Sequence, residues 1–296
     1  MYLVFDVGGT FIKYGLLNDH GEVLEKDKIP TTIDDAEGFL QSMVDVYQAY
    51  KNKGIKGIAF SIPGLVDVEA GKQITGGAVK CLHGMEIGKE MSKRCDGINV
   101  AVENDGKCAA LAEAWIGAAK DYQNSSILAF GTGIAGGNVI NKHVIHGGNL
   151  MAGEASFQIT HPDFANMKIS QFGFYYSTIG ILAKAKKLIG EDINGEQLFN
   201  YYLNGREEIV ALMNDWFFNI ACQCYNLQCI VDPDVICIGG GVSAQPSFVE
   251  GIRKYIDIIY NNTFQMHKPQ IVVCKFKNDS NLIGALYNYK QMYENA

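Results

Sequence analysis

Three consecutive residues, Glu103-Asn104-Asp105, stand where the apolar run Ile98-Asn99-Val100-Ala101-Val102 gives way to a helical pattern over residues 109–115. A carboxylate at such a strand-to-helix junction can accept a proton from a hydroxyl, work that contributes about 10²–10⁴-fold to a rate. Asn104 is suited to hold a neighbouring hydroxyl, and either Asn104 or Asp105 can cap the helix. Capping alone is the plainer role for Asp105. A second group, Asp6-Val7-Gly8-Gly9-Thr10, puts a carboxylate at a strand end and then a turn whose missing Cβ atoms let backbone N–H groups approach phosphate oxygens. Thr10 adds a hydroxyl, and Lys13 on the next strand is counted with this site. Asp6 suits Mg²⁺ held through water, because that ion combines few carboxylates with phosphate oxygens. The same residues would also make an ordinary tight hairpin with a satisfied aspartate.

Gly131-Thr132-Gly133-Ile134-Ala135-Gly136-Gly137 is a second glycine turn. It leads into a strand rather than a helix, so the dinucleotide-binding reading fails. Two glycine-threonine turns at equivalent places suggest two hairpins gripping one phosphate chain. Gly239-Gly240-Gly241, after another apolar strand, suits a backbone surface beside adenine or ribose, unless it serves packing alone. Gly153-Glu154 supplies a carboxylate able to accept from vicinal hydroxyls, although a lone loop glutamate is more often merely solvated. Positioning, charge neutralisation and a proton acceptor are what phosphoryl transfer from a nucleotide to an alcohol requires. His83, His143, His146 and His161 have no metal-ligand spacing and read as ordinary surface or loop residues.

The elements that must position these groups are written twice. Leu3-Val4-Phe5-Asp6-Val7, a glycine turn and the strand over residues 11–17 form the first copy, followed by a turn at residues 18–21. Ser126-Ile127-Leu128-Ala129-Phe130, a glycine turn and the strand over residues 136–140 form the second. Between them the pattern predicts an amphipathic helix over 36–51, a strand over 57–61 stopped by Ile62-Pro63-Gly64, and a helix over 86–94. Further on it predicts a long helix over 206–230, with Ile209, Met213, Trp216, Ile220, Cys224 and Leu227 at helical spacing. A strand over 234–238 and a last helix over 281–293, capped by Asp279 or Ser280, complete the reading. Residues 117–123 are a hinge candidate.

A chain of 296 residues, 48% hydrophobic and 19% charged, can build two modest cores. The net charge of −7 and the absence of a Lys/Arg block argue against nucleic acid as partner. No apolar run has membrane-spanning length, and residues 1–6 carry no basic or apolar leader, so a cytoplasmic protein is expected. The eight cysteines lie mostly in apolar stretches without a CxxC pair, which predicts reduced core residues rather than disulfides or zinc.

Asp6-x-Gly8-Gly9-Thr10, Ser61-x-Pro63-Gly64, Glu103-Asn104-Asp105, Gly131-Thr132-Gly133, Ala152-Gly153-Glu154 and Asp232-Pro233-x-x-Ile236-x-Ile238-Gly239-Gly240-Gly241, in this order, resemble the ROK family of repressors and sugar kinases. The resemblance spans nearly the whole chain. It implies an α/β architecture, the actin-like ATPase (ribonuclease H-like) duplicated fold, with two domains around a cleft. Residues 1–117 would form the N-terminal domain, with a C-terminal helix over 281–296 packing back on it, and residues 118–280 the C-terminal domain. It implies ATP and Mg²⁺ on the glycine turns, sugar held by Gly64, Gly77, Asn104, Asp105 and Glu154, Asp105 as general base, and a homodimer. Most members carry a histidine three residues after the Glu154 position and then a zinc-binding cysteine cluster. Here that position is Phe157 and residues 158–176 contain no cysteine, so no zinc site is expected. The pattern looks most like bacterial β-glucoside kinases, which share the Thr75-Gly76-Gly77-Ala78 stretch and an aromatic residue at Phe157's place. These phosphorylate the 6-hydroxyl of disaccharides such as cellobiose or gentiobiose. Loss of the histidine would open space for a group on C1, with Phe157 or Tyr175 stacking on it. A glucokinase and an N-acetylmannosamine or N-acetylglucosamine kinase are the alternatives. A sugar-sensing regulator is disfavoured because the first strand leaves no room for a helix-turn-helix module.

Overall fold

A computed structural model describes the chain except residues 76, 78, 164, 265, 266, 295 and 296. Gly76 and Ala78 of the Thr75–Ala78 stretch, and Asn295 and Ala296 at the end of the expected last helix, therefore lie outside the described residues. The chain gathers into two compact units. Residues 1–120, 142–152 and the C-terminal stretch from Asn278 form the first, and residues 121–141 and 153–277 the second.

The first unit opens with β1 (Tyr2–Val7), β2 (Phe11–Leu17), β3 (Val23–Pro30) and α1 (Ala36–Tyr50). It continues with β4 (Gly57–Ile62), the short β5 (Val66–Asp67) and β6 (Lys72–Gln73), α2 (Ile87–Arg94), β7 (Val100–Asn104) and α3 (Asp105–Ile116). The sheet order is β3-β2-β1-β4-β7. β2 runs antiparallel to β1 and β3, whereas β1, β4 and β7 are parallel. Every residue of β1, β4 and β7 is buried, which is why these parallel strands read as near-continuous apolar runs rather than alternating ones. β7 extends beyond the expected strand to take in Glu103 and Asn104. Phe5, Ile12, Phe39, Met43, Phe60, Leu82 and Met91 belong to the core of this unit.

The second unit repeats the plan. β8 (Ser125–Phe130) and β9 (Ile134–Ile140) form an antiparallel hairpin. The short β10 (His143–Val144) falls in the first unit. Next come β11 (Ile159–Asp163), β12 (Lys168–Gln171), α4 (Phe172–Tyr176), α5 (Thr178–Ile189), α6 (Gly195–Leu203), α7 (Glu207–Ile230), β13 (Val235–Gly239), α8 (Pro246–Asn262) and β14 (Ile271–Val273). β13 lies parallel between β8 and β14, the relation β4 has to β1 and β7. The predicted stripe of α7, from Ile209 to Leu227, is buried among Phe130, Phe172, Phe217 and Phe248. Trp216 at its centre donates its indole N–H to the Tyr176 carbonyl at 2.8 Å, which satisfies the polar end of a buried ring.

α9 (Ser280–Tyr293) closes the first unit by packing on α3. Its contact is tight: a Cβ on Gly284 would sit 1.7 Å from the Cys108 carbonyl oxygen. Asp279 occupies the N-cap position, but its carboxylate pairs with Lys26 instead of capping. Cys95, Cys108, Cys224 and Cys237 are buried, whereas Cys229 at the end of α7 is exposed and departs from the interior role expected of it. Among the described residues no helix is long and apolar enough to cross a membrane.

Candidate active site

In the first unit, β1, β4 and β7 are registered so that Asp6 faces Ser61, Ser61 faces Glu103 and Ile62 faces Asn104. Their C-terminal ends therefore lie side by side, the edge at which open α/β sheets bind ligands. Asp6 is nearly buried. Its Oδ1 accepts from the Ser61 hydroxyl at 3.1 Å and the Asn281 amide at 2.9 Å, and its Oδ2 pairs with Lys13 at 3.3 Å. The turn after it is fixed by Gly8 N–H donating to the Phe11 carbonyl, Thr31 Oγ1 donating to the Gly8 carbonyl and Thr31 N–H donating to the Thr10 carbonyl. Thr10 itself is exposed.

Asn104 is the N-cap of α3: its Oδ1 accepts the Lys107 N–H at 3.0 Å. Its Nδ2 donates to the Gly64 carbonyl at 2.9 Å and to Asp105 Oδ1 at 3.0 Å. Asp105 Oδ1 also accepts the Gly106 N–H at 2.8 Å, so that oxygen is anchored by two donors. Gly64 has φ +91°, and a Cβ there would lie 2.2 Å from the Thr75 carbonyl. Gly77, with φ +47°, lies against Pro63 and Gly64. The chain thus brings Gly64, Gly77, Asn104 and Asp105 together at one strand edge.

Two partners of these residues, His146 and Asn281, escaped the sequence reading. Glu103 is fully buried; its Oε1 accepts the Asn104 N–H at 2.7 Å and its Oε2 lies 2.7 Å from His146 Nε2. His146 is therefore no ordinary loop residue, as its spacing had suggested. The signal available was Glu103 itself, since a carboxylate inside a buried strand demands a partner. Asn281, at the start of α9, likewise reaches Asp6 from 275 residues away.

In the second unit, Gly239 pairs with Ala129 across parallel β13 and β8, so the turns after these strands are neighbours. Gly131 N–H donates to the Gly133 carbonyl, and the Thr178 N–H to the Gly131 carbonyl. Gly131, Thr132 and Gly133 are exposed. Gly240 has φ +84°, and a Cβ on it would meet the Phe130 carbonyl at 2.1 Å. Gly136 has a different task from phosphate contact: its missing Cβ lets the Gly153 carbonyl approach, where 2.3 Å would separate the atoms. That approach seats Gly153-Glu154 against β9. Glu154 precedes a single 3₁₀ turn, Ala155–Phe157, in which Phe157 is 53% exposed. The segment that follows is held by rings and a cation. Lys184 lies 3.6 Å from the Tyr175 ring centre and 4.3 Å from that of Tyr176, whose hydroxyl is 3.3 Å from His161 Nδ1. Burial lowers the Lys184 pKa to about 8. Among the described residues no group of three His, Cys, Asp or Glu could hold a metal ion.

The model of the ROK family matches residues 2–292. A β-glucoside kinase of Listeria monocytogenes is 30% identical over 292 residues, 97% of this chain and 96% of its own. An N-acetyl-D-glucosamine kinase of Haemophilus influenzae is 30% identical over 271 residues, 86% of this chain and 88% of its own. A solved ROK family protein from Streptococcus pneumoniae in complex with sucrose matches with a TM-score of 0.89 and 27% identity, covering 99% of this chain and 100% of that one.

Proposed function

The chain belongs to the ROK family, and from that premise we propose that this sugar kinase moves the γ-phosphoryl of ATP onto the 6-hydroxyl of a glucose-type sugar carried as a β-glucoside, such as cellobiose or gentiobiose. Its sheets have the actin-like ATPase pattern that the family shares. The observation that carries the reading is the β7–α3 junction, where Asn104 and the anchored Asp105 carboxylate meet Gly64. Asp105 takes the 6-hydroxyl proton as that oxygen bonds to the γ-phosphorus, and the bond from phosphorus to the β-phosphate oxygen breaks to leave ADP. Gly64, Gly77, Asn104 and Glu154 hold the sugar hydroxyls. Gly8, Gly9, Thr10 and Lys13, with Gly131, Thr132 and Gly133, attend the phosphates, while Gly239, Gly240 and Gly241 border the nucleoside.

Asp6 is suited to Mg²⁺ through water, because Ser61 and Asn281 both donate to its carboxylate and fix its aim. When bound, the ion supplies neutralising charge for the phosphate oxygens. The β-glucoside preference is supported by Phe157, by the Listeria relative and by sucrose in the Streptococcus protein, a ligand of disaccharide size. In the same reading the enzyme works in the cytoplasm as a homodimer, which light scattering tests.

A coupled ADP-release assay over glucose, N-acetylglucosamine, N-acetylmannosamine, cellobiose and gentiobiose tests the acceptor. A β-glucoside is expected to lead in kcat/KM, and Phe157→Ala should raise its KM about tenfold, the loss of roughly 1.4 kcal/mol of ring contact. Turnover of glucose with none of cellobiose or gentiobiose would defeat the β-glucoside assignment and leave the kinase. Preference for an acetamido sugar would move the chain to the N-acetylhexosamine kinases.

A further inference from the structure

We propose that His146 is a positioning residue for phosphoryl transfer, acting through Glu103 on the Asn104–Asp105 junction; this rests on the sugar kinase reading above. Glu103 is wholly buried inside β7, where an unpaired carboxylate is costly, and its two oxygens are divided between two tasks. Oε1 holds the main-chain N–H of Asn104, the residue whose amide spans the Gly64 carbonyl and Asp105 Oδ1. Oε2 holds His146 Nε2. The carboxylate is therefore a link between the loop bearing His146 and the residue that aims Asp105.

That loop is held at a second point. Lys107, buried in the first turn of α3, reaches the carbonyl of Leu150 at 3.4 Å, and Leu150 adopts φ +63°. The His146 carbonyl accepts the Ala152 N–H at 3.1 Å. Glu103 and Lys107, two residues before and two residues after Asp105 in sequence, thus grip the segment that runs directly into Gly153-Glu154. A pair serving stability alone would need no connection to Asn104. This one is bonded to the main-chain N–H of Asn104, the residue at which β7 gives way to α3.

A displacement of about 1 Å at a reacting group can cost on the order of 10²-fold in rate, which fixes the size of the expected effect. His146→Phe, which removes the donor, should lower kcat about 10- to 100-fold on the preferred sugar with KM for ATP unchanged. His146→Gln, which keeps an N–H donor, should recover most of the loss. Combined with Asp105→Asn, His146→Phe should add nothing further, because two residues acting through one group are non-additive. A kcat for His146→Phe near wild type, or losses that add, would overturn the proposal. Should that variant fail to fold, Glu103→Gln keeps an acceptor for Asn104 N–H while removing the charge, and an unchanged kcat there would overturn it equally. A wild-type enzyme that phosphorylates no sugar would sink the kinase reading instead. Crystal structures of wild type and His146→Phe then decide this inference, which an unmoved Asp105 carboxylate would end.

Discussion

At the junction of a strand and a helix an aspartate can cap the helix or take a proton, and a substitution at Asp105 separates the two roles. Asn104 Oδ1 already receives the Lys107 N–H, so the cap belongs to Asn104. Asp105 is held instead through Oδ1 by its own next N–H and the Asn104 amide. Asp105→Asn preserves that shape and removes the basicity. It should lower kcat by about 10²–10⁴-fold, the usual worth of a general base. Sugar binding by calorimetry should persist, and a kcat within tenfold of wild type would remove Asp105 from the chemistry. Asp6, Asn104, Asp105 and the glycine turns were legible because each motif is contiguous and its chemistry is local. Glu103 with His146, and Asp6 with Asn281, were not, because 43 and 275 residues separate the partners and no periodicity links them.

Elements carried their own signature where burial imposed one. The fully buried β1 and β4 read as apolar runs, and α7 announced its inward stripe. The β11–β12 hairpin did not, since most of its side chains are exposed and alternate weakly. Equally hidden was how closely α9, expected to pack back on this unit, approaches α3 at Gly284. In an open helix Ala outranks Gly by about 1 kcal/mol. At Gly284 the added methyl would strike the Cys108 carbonyl, backbone that cannot yield without shifting α3. Overpacking of this kind costs about 1–3 kcal/mol, so Gly284→Ala should lower the melting temperature. Gly195, at the first position of α6, meets nothing within 4 Å, so Gly195→Ala should leave the melting temperature unchanged or raise it. Calorimetry of the two variants checks the contrast, and a neutral Gly284→Ala would show that the two helices are not locked there.

For the molecule as a whole, the repeated strand-turn-strand pattern foretold two sheets of one plan, and the family resemblance implied a last helix packing back on the first unit. Neither foretold that residues 142–152 join that unit. Each unit holds one of the two tryptophans: Trp115 stacks on Tyr287 of α9, and Trp216 lies in the core around α7. Their emission can follow the units separately once the other tryptophan is replaced by Phe. Burial raises the pKa of Cys95 to about 11 and of Cys224 to about 12, and it pushes Cys108, Tyr2 and Tyr176 upward as well. As pH rises from 9.0 the unfolded chain releases thiol protons that the folded chain retains. The unfolded state then binds fewer protons, and stability falls with pH up to about 11. Lys184 acts in the opposite sense. Its folded pKa of about 8 lies below the ordinary 10.5, so the unfolded state binds more protons across that window and stability rises. Cys95, Cys108 and Tyr2 belong to the first unit, whereas Lys184 offsets Cys224 and Tyr176 in the second. Urea unfolding between pH 8 and 10.5 should therefore show the Trp115 midpoint falling more than the Trp216 midpoint. Lys184→Met should steepen the decline seen by Trp216, because it removes the opposing group. Equal declines in the two reporters, or no change on replacing Lys184, would mean that these buried groups do not govern the alkaline limit of the fold.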